Sequence, residues 1–463
     1  MNGMRIIIEG AGQIGSHLAK MLSIEGGEIT VIDDDEKRLR ALSSTADVVT
    51  ILGDPTSIKV LRNAGVDKAD LFIAVTPFKS QTVNIVSAQL AKRLGAKKVI
   101  ARIDDEELLL HQNKEIFRDM GLDLMFYPEK IASDEIIEMI RRSSSTEFLD
   151  FAHGKLLLSV YKLDDDAPLL DMSVAEFSDA VADTNAYNKF RIIAISRRGE
   201  TIIPGKDTRF KFMDQVYIIA TKEGMPELMK FLGKEDMEIR SVMILGGSEV
   251  GEMTAAQLAL IEAREKRIRA IKLIDKNPER CKQLSVDLPD EVDVAVGDIR
   301  NSDFLLDENI REYDAVVACA GNDEANIFAC VVAKKFGVGR VIAQVENLEY
   351  LRLAEEMGVD AVINKKLLTA GRILKFTLSD KVRFVRYMSG TNAEVLEYTA
   401  SPGSRATKGL LRDLDFPSGA IIGGIIRGSE SFIAVGDTHI EPYDRVAVFA
   451  LPESVKDVER FFK

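Results

Sequence analysis

Short apolar runs alternate along most of the chain with longer stretches in which apolar residues recur every three or four positions. The runs are rich in Ile and Val and contain few polar residues, which is typical of strands buried on both faces of a parallel sheet. The longer stretches have the spacing of amphipathic helices, so the alternation predicts a doubly wound parallel sheet. Six strands are expected near residues 4–9, 28–33, 48–52, 70–75, 98–103 and 123–126, and six more near 241–246, 270–275, 292–296, 314–319, 340–345 and 360–363.

The second set of strands belongs to an internal repeat of the first. Six sequence blocks recur in the same order in the two halves of the chain, which makes chance a poor explanation. The segment Arg5–Gly15 corresponds to Ser241–Gly251, and the strand that ends at Asp33 corresponds to the strand that ends at Asp275. The other pairs are 50–54 with 294–298, 69–75 with 313–319, 98–102 with 340–344, and 120–123 with 357–360.

A different pattern follows each large repeat. Apolar runs at 155–163 and 213–220 indicate strands, and residues 191–205 indicate a hairpin. The segment 420–450 repeats this pattern, and a short helix is expected after each module. We therefore predict an α/β chain with two Rossmann-like, doubly wound parallel-sheet domains, each followed by a small α+β domain. The expected domains are 1–142, 143–236, 237–378 and 379–463.

Composition and charge narrow the classes of function. The 463 residues include 61 basic and 74 acidic side chains, for a net charge of −13. Nucleic acid repels a net anion that has no basic stripe, so nucleic-acid binding is not expected. The three Cys residues form no Cys-x-x-Cys pair, and the four His residues show no spacing typical of metal ligands.

The chain also lacks the sequence features of membrane and secreted proteins. No apolar run approaches the roughly 18–20 residues that a membrane helix needs. The N-terminus enters a strand pattern at Arg5 and reaches Glu9 without the apolar core of a signal peptide. We expect a cytoplasmic protein that reaches the inner face of the membrane only through a partner.

A glycine-rich turn follows the first strand and opens the first helix. Gly10 permits the tight turn, Gly12 lets a pyrophosphate approach the backbone, and Gly15 lets the helix pack close to the sheet. Asp33 ends the second strand, where a carboxylate accepts ribose hydroxyls and repels a 2′-phosphate, which favours NAD over NADP. The alternative is a packing turn without a ligand, but the position of Asp33 favours nucleotide binding.

The second copy departs from this pattern. Ser248 stands where the middle glycine belongs, so a Cβ occupies the place where phosphate would approach, although the hydroxyl can donate a hydrogen bond. Asp275 is kept at the end of the second strand. A second nucleotide site and a vestigial structural turn both stay open.

Three more side chains are expected at the carboxyl ends of strands, where open α/β sheets bind ligands. Arg102 can balance phosphate charge, Thr76 can bond ribose or phosphate, and Asp54 can cap a helix or hold an adenosine edge. The alternatives are structural, because Thr76 precedes a proline in a turn and Arg102 has acidic neighbours. The counterparts in the second copy are Asp298, Ala320 and Gln344.

These blocks and their tandem order resemble the TrkA family, the peripheral regulatory subunits of Trk-type potassium uptake systems. The large repeats are similar to RCK (KTN) domains and the small modules to the RCK C-terminal domain, over essentially the whole chain. The resemblance implies NAD(H) as the ligand, with ATP and ADP as further candidates. It also implies a homo-oligomer, either a dimer or a tetrameric ring, beneath a TrkH-like integral membrane channel subunit.

Carried over by position, the resemblance also implies a ligand shell in each half. The loop after Thr76 is two residues longer than the loop after Ala320, which leaves its contacts open. The first shell consists of Gly10, Ala11, Gly12, Gln13, Ile14, Asp33, Thr76, Pro77 and Arg102. The second consists of Gly246, Gly247, Ser248, Glu249, Val250, Asp275, Ala320 and Gly321.

Two other functions use the same sites. An NAD-dependent oxidoreductase needs an acid or base beside the hydride acceptor and a sizeable substrate domain. The small modules offer only His153 and His439, at positions that do not match between the copies. A soluble nucleotide-sensing regulator without a channel partner stays open. We predict a switch without enzymatic activity, in which the nucleotide favours one conformation of the ring.

Overall fold

The computed structural model of the chain describes residues 3–24, 26–76, 81–141, 147–151, 156–182, 188–233, 237–377, 382–387, 391 and 393–463. Contacts divide the chain into two compact units, residues 1–132 with 365–378 and residues 133–364 with 379–463. The four domain boundaries expected from the sequence stay a prediction.

The first large repeat forms a six-stranded parallel sheet flanked by helices. Its strands are β1 (Arg5–Glu9), β2 (Glu28–Asp33), β3 (Val49–Leu52), β4 (Leu71–Ala74), β5 (Lys98–Arg102) and β6 (Leu124–Phe126). Its helices are α1 (Gln13–Ile24), α2 (Glu36–Ser43), α3 (Ile58–Asn63), α4 (Gln81–Leu94), α5 (His111–Asp119) and α6 (Pro128–Arg141). The strand order is β3-β2-β1-β4-β5-β6. The order reverses beside β1, so a ligand crevice is expected where β1 and β4 end.

The apolar pattern explains these elements directly. The run Ile6, Ile7, Ile8 in β1 is almost completely buried, because the sheet has helices on both faces. In α1, Leu18 and Leu22 are fully buried one turn apart, which places the apolar stripe of the helix against the sheet.

The first small module forms an antiparallel sheet in the order β10-β9-β11-β8-β7. The strands are β7 (Glu147–Phe151), β8 (Leu156–Lys162), β9 (Phe190–Arg197), β10 (Glu200–Ile202) and β11 (Gln215–Ala220). The helices are α7 (Val174–Ala182) and α8 (Met225–Leu232).

The second half repeats both architectures. The large sheet contains β12 (Ser241–Leu245), β13 (Ala270–Asp275), β14 (Val292–Val296), β15 (Ala315–Ala318), β16 (Arg340–Gln344) and β17 (Ala361–Ile363). Its helices are α9 (Glu249–Glu265), α10 (Pro278–Asp287), α11 (Ser302–Asp307), α12 (Asp323–Lys335), α13 (Leu348–Glu356) and α14 (Lys365–Thr377). The strand order, β14-β13-β12-β15-β16-β17, is that of the first sheet.

The chain ends in a second antiparallel sheet, ordered β18-β19-β22-β20-β21, followed by a helix. Its elements are β18 (Val382–Tyr387), β19 (Glu394–Thr399), β20 (Ala420–Arg427), β21 (Glu430–Ile433), β22 (Arg445–Ala450) and α15 (Val455–Phe462). Short 3-10 helices lie at 66–68, 106–109, 222–224, 310–312, 405–407, 411–413 and 452–454. The predicted fold class is confirmed, with two parallel sheets that are each followed by a smaller antiparallel sheet.

The last helix of each large repeat contacts a helix of the other repeat. Helix α14 belongs to the first unit and packs against α1. There Lys98 Nζ donates to the carbonyl of Phe376 at 3.3 Å and lies 5.0 Å from the centroid of its ring. In the second unit, Ser133 of α6 is hydrogen-bonded to Thr254 and Gln257 of α9, at 3.2 and 2.8 Å. The sequence repeat alone did not reveal this exchange of helices.

The two small sheets share one apolar core within the second unit. Leu158 and Tyr217 from the first small sheet pack with Val395 and Phe449 from the second, and all four are buried. The rings of Tyr217 and Phe449 lie 5.7 Å apart between centroids. The small sheets are therefore one packing unit and not two separate appendages.

Candidate functional site

The glycine turn after β1 has a geometry that only glycine satisfies. Gly10 has a φ of +96°, and a Cβ there would lie 2.8 Å from the backbone nitrogen of Thr76. A Cβ on Gly15 would overlap the carbonyl oxygen of Gly10. Both glycines are therefore needed for the close approach of β1, α1 and the end of β4.

Helix α1 opens towards the crevice without a side chain at its N-cap position. The helix begins at Gln13, so Gly12 is the residue before it, and a glycine offers no capping oxygen. Gly12 is half-buried and Gln13 is exposed, whereas Ala11 and Ile14 are buried. The first N–H groups of a helix have no partner within the helix and carry partial positive charge, so this end of α1 is suited to an anion.

The carboxylate of Asp33 is joined to the glycine turn. One oxygen accepts from the Ala11 N–H at 2.5 Å, and the other accepts from the Asp35 N–H at 2.8 Å. Arg38 lies 4.0 Å from the same carboxylate, of which only 4% is exposed. Each carboxylate oxygen has a second lone pair, so Asp33 keeps the capacity to accept ribose hydroxyls.

A buried amide joins the ends of β4 and β5. The side chain of Asn84, on α4, accepts from the Thr76 N–H at 3.0 Å and donates to the carbonyls of Thr76 and Arg102, both at 3.1 Å. Asn84 is fully buried. Sequence reasoning missed this role, although Asn326 ends the corresponding loop in the second repeat and was a usable signal.

A buried carboxyl lies directly behind the turn. Glu9, the last residue of β1, accepts from the Thr76 hydroxyl at 3.0 Å and makes a short hydrogen bond with the Ser87 hydroxyl. Burial raises the pKa of Glu9 to about 8 against the opposing effect of these hydrogen bonds. Sequence reasoning missed this group as well. The available signal was an acidic residue at the end of an apolar strand, directly before the glycine turn.

Arg102 lies at the end of β5, but its guanidinium already has anionic partners. It is 5% exposed and pairs with Asp104 at 3.0 Å and Glu129 at 3.4 Å. Glu129 also pairs with Lys365, the first residue of α14, at 3.3 Å. A phosphate that binds Arg102 would have to compete with these carboxylates.

Three further positions of the first half were predicted to contact the ligand, and the structure describes two of them. Asp54 is exposed, and one of its oxygens accepts from the backbone N–H and hydroxyl of Thr56, which lowers its pKa. It therefore stabilises its own turn. Thr76 is half-buried at the end of β4, and Pro77 lies outside the described residues.

The second crevice keeps the turn but uses its polar groups internally. Gly246 has a φ of +119°, and the Gly247 N–H donates to Asp275 at 2.7 Å. The Ser248 hydroxyl donates to the carbonyl of Cys319 at 2.6 Å and accepts from the Gly251 N–H at 3.3 Å. Helix α9 thus has a side-chain cap where α1 has none, which reduces its capacity for an anion.

The other predicted positions of the second half surround this capped turn. Glu249 is partly exposed at the start of α9, Val250 is buried, and Ala320 and Gly321 follow β15. Asp298 pairs with Arg300 at 2.7 Å, and this hydrogen bonding lowers its pKa to about 2.

Within the described parts of the chain, no group of three or more His, Cys, Asp or Glu residues could hold a metal ion. No helix among those residues is long and apolar enough to cross a membrane. His153 lies outside the described residues, and the backbone of His439 forms a bridge with Leu410.

Family models match both halves of the chain. The TrkA-N domain matches residues 6–128 and 242–365, and the TrkA-C domain matches residues 158–233 and 395–463. The Trk system potassium uptake protein TrkA homolog of Archaeoglobus fulgidus is 33% identical and covers 99% of this chain and 100% of its own length. The Trk system potassium uptake protein TrkA of Halomonas elongata is 31% identical, with 99% of each chain covered.

Solved structures show the same fold. The crystal structure of the GsuK RCK domain aligns with a TM-score of 0.59 and 19% identity, covering 100% of this chain and 95% of that chain. The GsuK channel bound to NAD aligns with a TM-score of 0.60 and 19% identity, covering 100% and 79%. Tandem family matches over most of the chain, full-length relatives above 30% identity and the RCK fold confirm the resemblance noted in the sequence: the chain belongs to the TrkA family of Trk system potassium uptake proteins.

Proposed function

We propose that this protein is the regulatory subunit of a Trk-type potassium uptake system. It binds NAD(H) in the crevice of the first sheet, with ATP and ADP as competing ligands, and gates a TrkH-like membrane channel subunit by a change of conformation. It has no enzymatic activity of its own. The observation that carries this proposal is the joining of the Gly10–Gly15 turn to Asp33 in a chain of the TrkA family.

The chemistry of the first crevice favours a dinucleotide. The uncapped start of α1 supplies N–H donors for a pyrophosphate. Asp33 supplies acceptors for the ribose hydroxyls and repels a 2′-phosphate, which favours NAD(H). A neighbour with the same fold is described as a channel bound to NAD, which supports this choice of ligand.

The second crevice is a weaker candidate for the same ligand. Asp275 accepts from the same two backbone positions as Asp33, but the Ser248 hydroxyl occupies the start of α9. We therefore assign the principal site to the first half and retain the second shell as a secondary site.

A mechanism for coupling is available within the first unit. Lys365 pairs with Glu129, which also binds Arg102 at the end of β5. The start of α14, a helix of the second large repeat, is therefore tied to one wall of the first crevice. A nucleotide that prefers one arrangement of this wall shifts the population of that arrangement. Coupling of about 1–3 kcal/mol is typical of allosteric proteins.

The expected assembly follows from the family and not from a single contact. We propose a homo-oligomer, a dimer or a tetrameric ring, that lies on the cytoplasmic face of the membrane and is held there by the channel subunit. The names of the relatives, which are potassium uptake proteins of Trk systems, support this placement. We propose the four domains 1–142, 143–236, 237–378 and 379–463 as its building blocks.

The test combines binding with ion flux. The full-length protein is titrated with NADH, ATP and ADP by calorimetry, and potassium flux is then measured in vesicles that contain the TrkH-like subunit from the same source. We expect NADH binding and a nucleotide-dependent change in flux that requires this chain. Steady oxidation of NADH with carbonyl substrates would favour an oxidoreductase. Nucleotide binding with no effect on flux would favour a regulator without a channel partner.

A further inference from the structure

We propose that Glu9 is a positioning residue that makes nucleotide binding at the first crevice weaken as the solution becomes more alkaline, because its proton is needed to hold Thr76 without a negative charge behind the glycine turn. This inference rests on the proposed function, since it concerns the affinity of the same site. It adds a sensitivity to proton concentration that belongs to one half of the chain only.

The hydrogen bonds around Glu9 point to a protonated carboxyl. The Ser87 hydroxyl contacts both Glu9 Oε2 and the carbonyl oxygen of Asn84, the latter at 3.1 Å. A hydroxyl has one proton, and the Asn84 carbonyl can only accept it. All three groups are satisfied when the proton of Glu9 is donated to Ser87 and the proton of Ser87 is donated to Asn84.

The other oxygen of Glu9 holds the proposed ligand-binding residue Thr76. The Thr76 hydroxyl donates to Glu9 Oε1 at 3.0 Å, while the Thr76 backbone is held by Asn84. Glu9 is fully buried and directly precedes Gly10, so a charge on Glu9 would lie behind the turn that faces the phosphates. Phosphate and an ionised Glu9 would repel each other through a medium that screens poorly.

The second half of the chain lacks the polar cluster around Glu9 and so provides an internal comparison. The residues that correspond to Glu9, Thr76 and Ser87 are Leu245, Ala320 and Ala329, so the polar cluster is replaced by apolar side chains. Leu245 and Ala329 are fully buried. The fold therefore does not require a carboxyl at this position, and the carboxyl occurs in the half whose glycine turn is uncapped.

The negative charges of two nearby carboxylates both raise the pKa of Glu9. Burial raises its pKa to about 8, the hydrogen bond that the Thr76 hydroxyl donates opposes this, and the carboxylates Asp54 and Asp33 raise it further. Asp54 and Asp33 are the charged groups among the largest causes of this shift. A bound phosphate adds a third negative charge, so binding favours the protonated form of Glu9. Affinity then falls by up to about tenfold per pH unit above that pKa.

The experiment measures NADH affinity by calorimetry between about pH 6.5 and pH 9, where neither phosphate of its pyrophosphate titrates. Wild-type protein is compared with Glu9→Gln, which removes the titration but keeps a polar side chain. The matched control is Glu28→Gln, an exposed carboxylate on β2 paired with Arg5 at 3.0 Å. We expect affinity to fall with pH in the wild type and in the control and to stay level in Glu9→Gln.

Proton uptake gives a second readout. Titrations in two buffers of different ionisation enthalpy should show a proton taken up on NADH binding above the Glu9 pKa in the wild type and none in Glu9→Gln. If Glu9→Gln does not fold, the triple variant Glu9→Leu, Thr76→Ala, Ser87→Ala copies the second half and should bind NADH more weakly with no proton uptake.

The outcomes separate the two proposals. Binding that is independent of pH in the wild type, or an unchanged pH slope in Glu9→Gln, would overturn the role of Glu9 and leave the nucleotide site intact. Absence of NADH binding at every pH would overturn the proposed nucleotide site and the role of Glu9 with it.

Discussion

The side-chain amide of Asn84 makes the same three backbone hydrogen bonds as that of Asn326 in the other half of the chain. Asn84 bonds the N–H and carbonyl of Thr76 and the carbonyl of Arg102, and Asn326 bonds the corresponding groups of Ala320 and Gln344. Asn84 follows its strand-end partner by eight residues and Asn326 by six. The connection is two residues longer in the first half, but in both halves it runs between the same pair of hydrogen-bonded positions.

Replacement of this amide should destabilise either half. In Asn84→Ala, buried backbone groups at the ends of β4 and β5 lose their partners, and we expect a loss of about 2–4 kcal/mol in the free energy of unfolding. Urea denaturation monitored by circular dichroism measures it, and Asn326→Ala should lose a similar amount. Unchanged midpoints in both variants would show that water replaces these hydrogen bonds.

Gly15→Ala should disrupt the glycine turn. The added Cβ overlaps the carbonyl oxygen of Gly10, and this carbonyl is backbone that cannot move aside without shifting β1. We expect a loss of about 3 kcal/mol or more in stability and a loss of NADH binding. Gly205→Ala is the control, since Gly205 lies outside both proposed shells and its Cβ would be 4.0 Å from the nearest atom, Thr208 Oγ1. A Gly15→Ala protein with wild-type stability and affinity would contradict the tight packing of α1.

Asp33→Ala should weaken NADH binding by about 10- to 100-fold, the value of one or two hydrogen bonds to a charged group. Because Asp33 also accepts from the Ala11 N–H, Asp33→Asn is a useful companion that retains one acceptor oxygen. Asp275→Ala tests the second crevice and should have a smaller effect on the total binding heat. Equal affinity in wild type and Asp33→Ala, measured by calorimetry, would remove Asp33 from the site.

His17 should make the first unit less stable in acid. Burial lowers its pKa from 6.5 to about 4, with a further contribution from Lys366 and Lys20, and its buried Nε2 has no hydrogen-bond partner among the described residues. The unfolded chain therefore takes up a proton at a higher pH than the folded chain does. The stability contributed by neutral His17 is complete above about pH 6.5 and is lost as the pH falls towards 4.

The size of the His17 pKa shift sets how much stability is lost in acid. The free energy of unfolding should fall by up to about 3 kcal/mol between pH 6.5 and pH 4. Thermal unfolding at several pH values measures it, with His17→Gln expected to be less sensitive to acid than the wild type. The exposed His111 provides a matched control in His111→Gln, which should keep the wild-type slope. A wild-type slope in His17→Gln would assign the acid sensitivity to other groups.

The elements that carry a local pattern were predictable from the sequence. The run Ile6 to Ile8 indicates a buried strand, and the spacing of Gly10, Gly12 and Gly15 indicates the turn that the structure contains. Asp33 was placed beside this turn because it ends the neighbouring strand. The assignment of these residues to a ligand stays a proposal.

The features that were missed depend on contacts between distant segments. The carboxyl of Glu9 is hydrogen-bonded to the hydroxyls of Thr76 and Ser87, which are 67 and 78 residues away in the chain. The spacing of apolar residues along the sequence does not predict a contact between such distant residues. Arg102 was predicted either to balance phosphate charge or to pair with a nearby acidic residue, and the structure shows it paired with Asp104 and also with Glu129, which the sequence did not indicate. One of these, Glu129, is also paired with a lysine 236 residues further along.

The packing of α14 against α1 has a consequence for shortened forms of the chain. A fragment that ends before Lys365 would leave the α1 face that α14 covers open to water, and Lys98 would lose its partner Phe376. The first large repeat is therefore not a self-sufficient folding unit, because a helix supplied more than 200 residues later completes its surface.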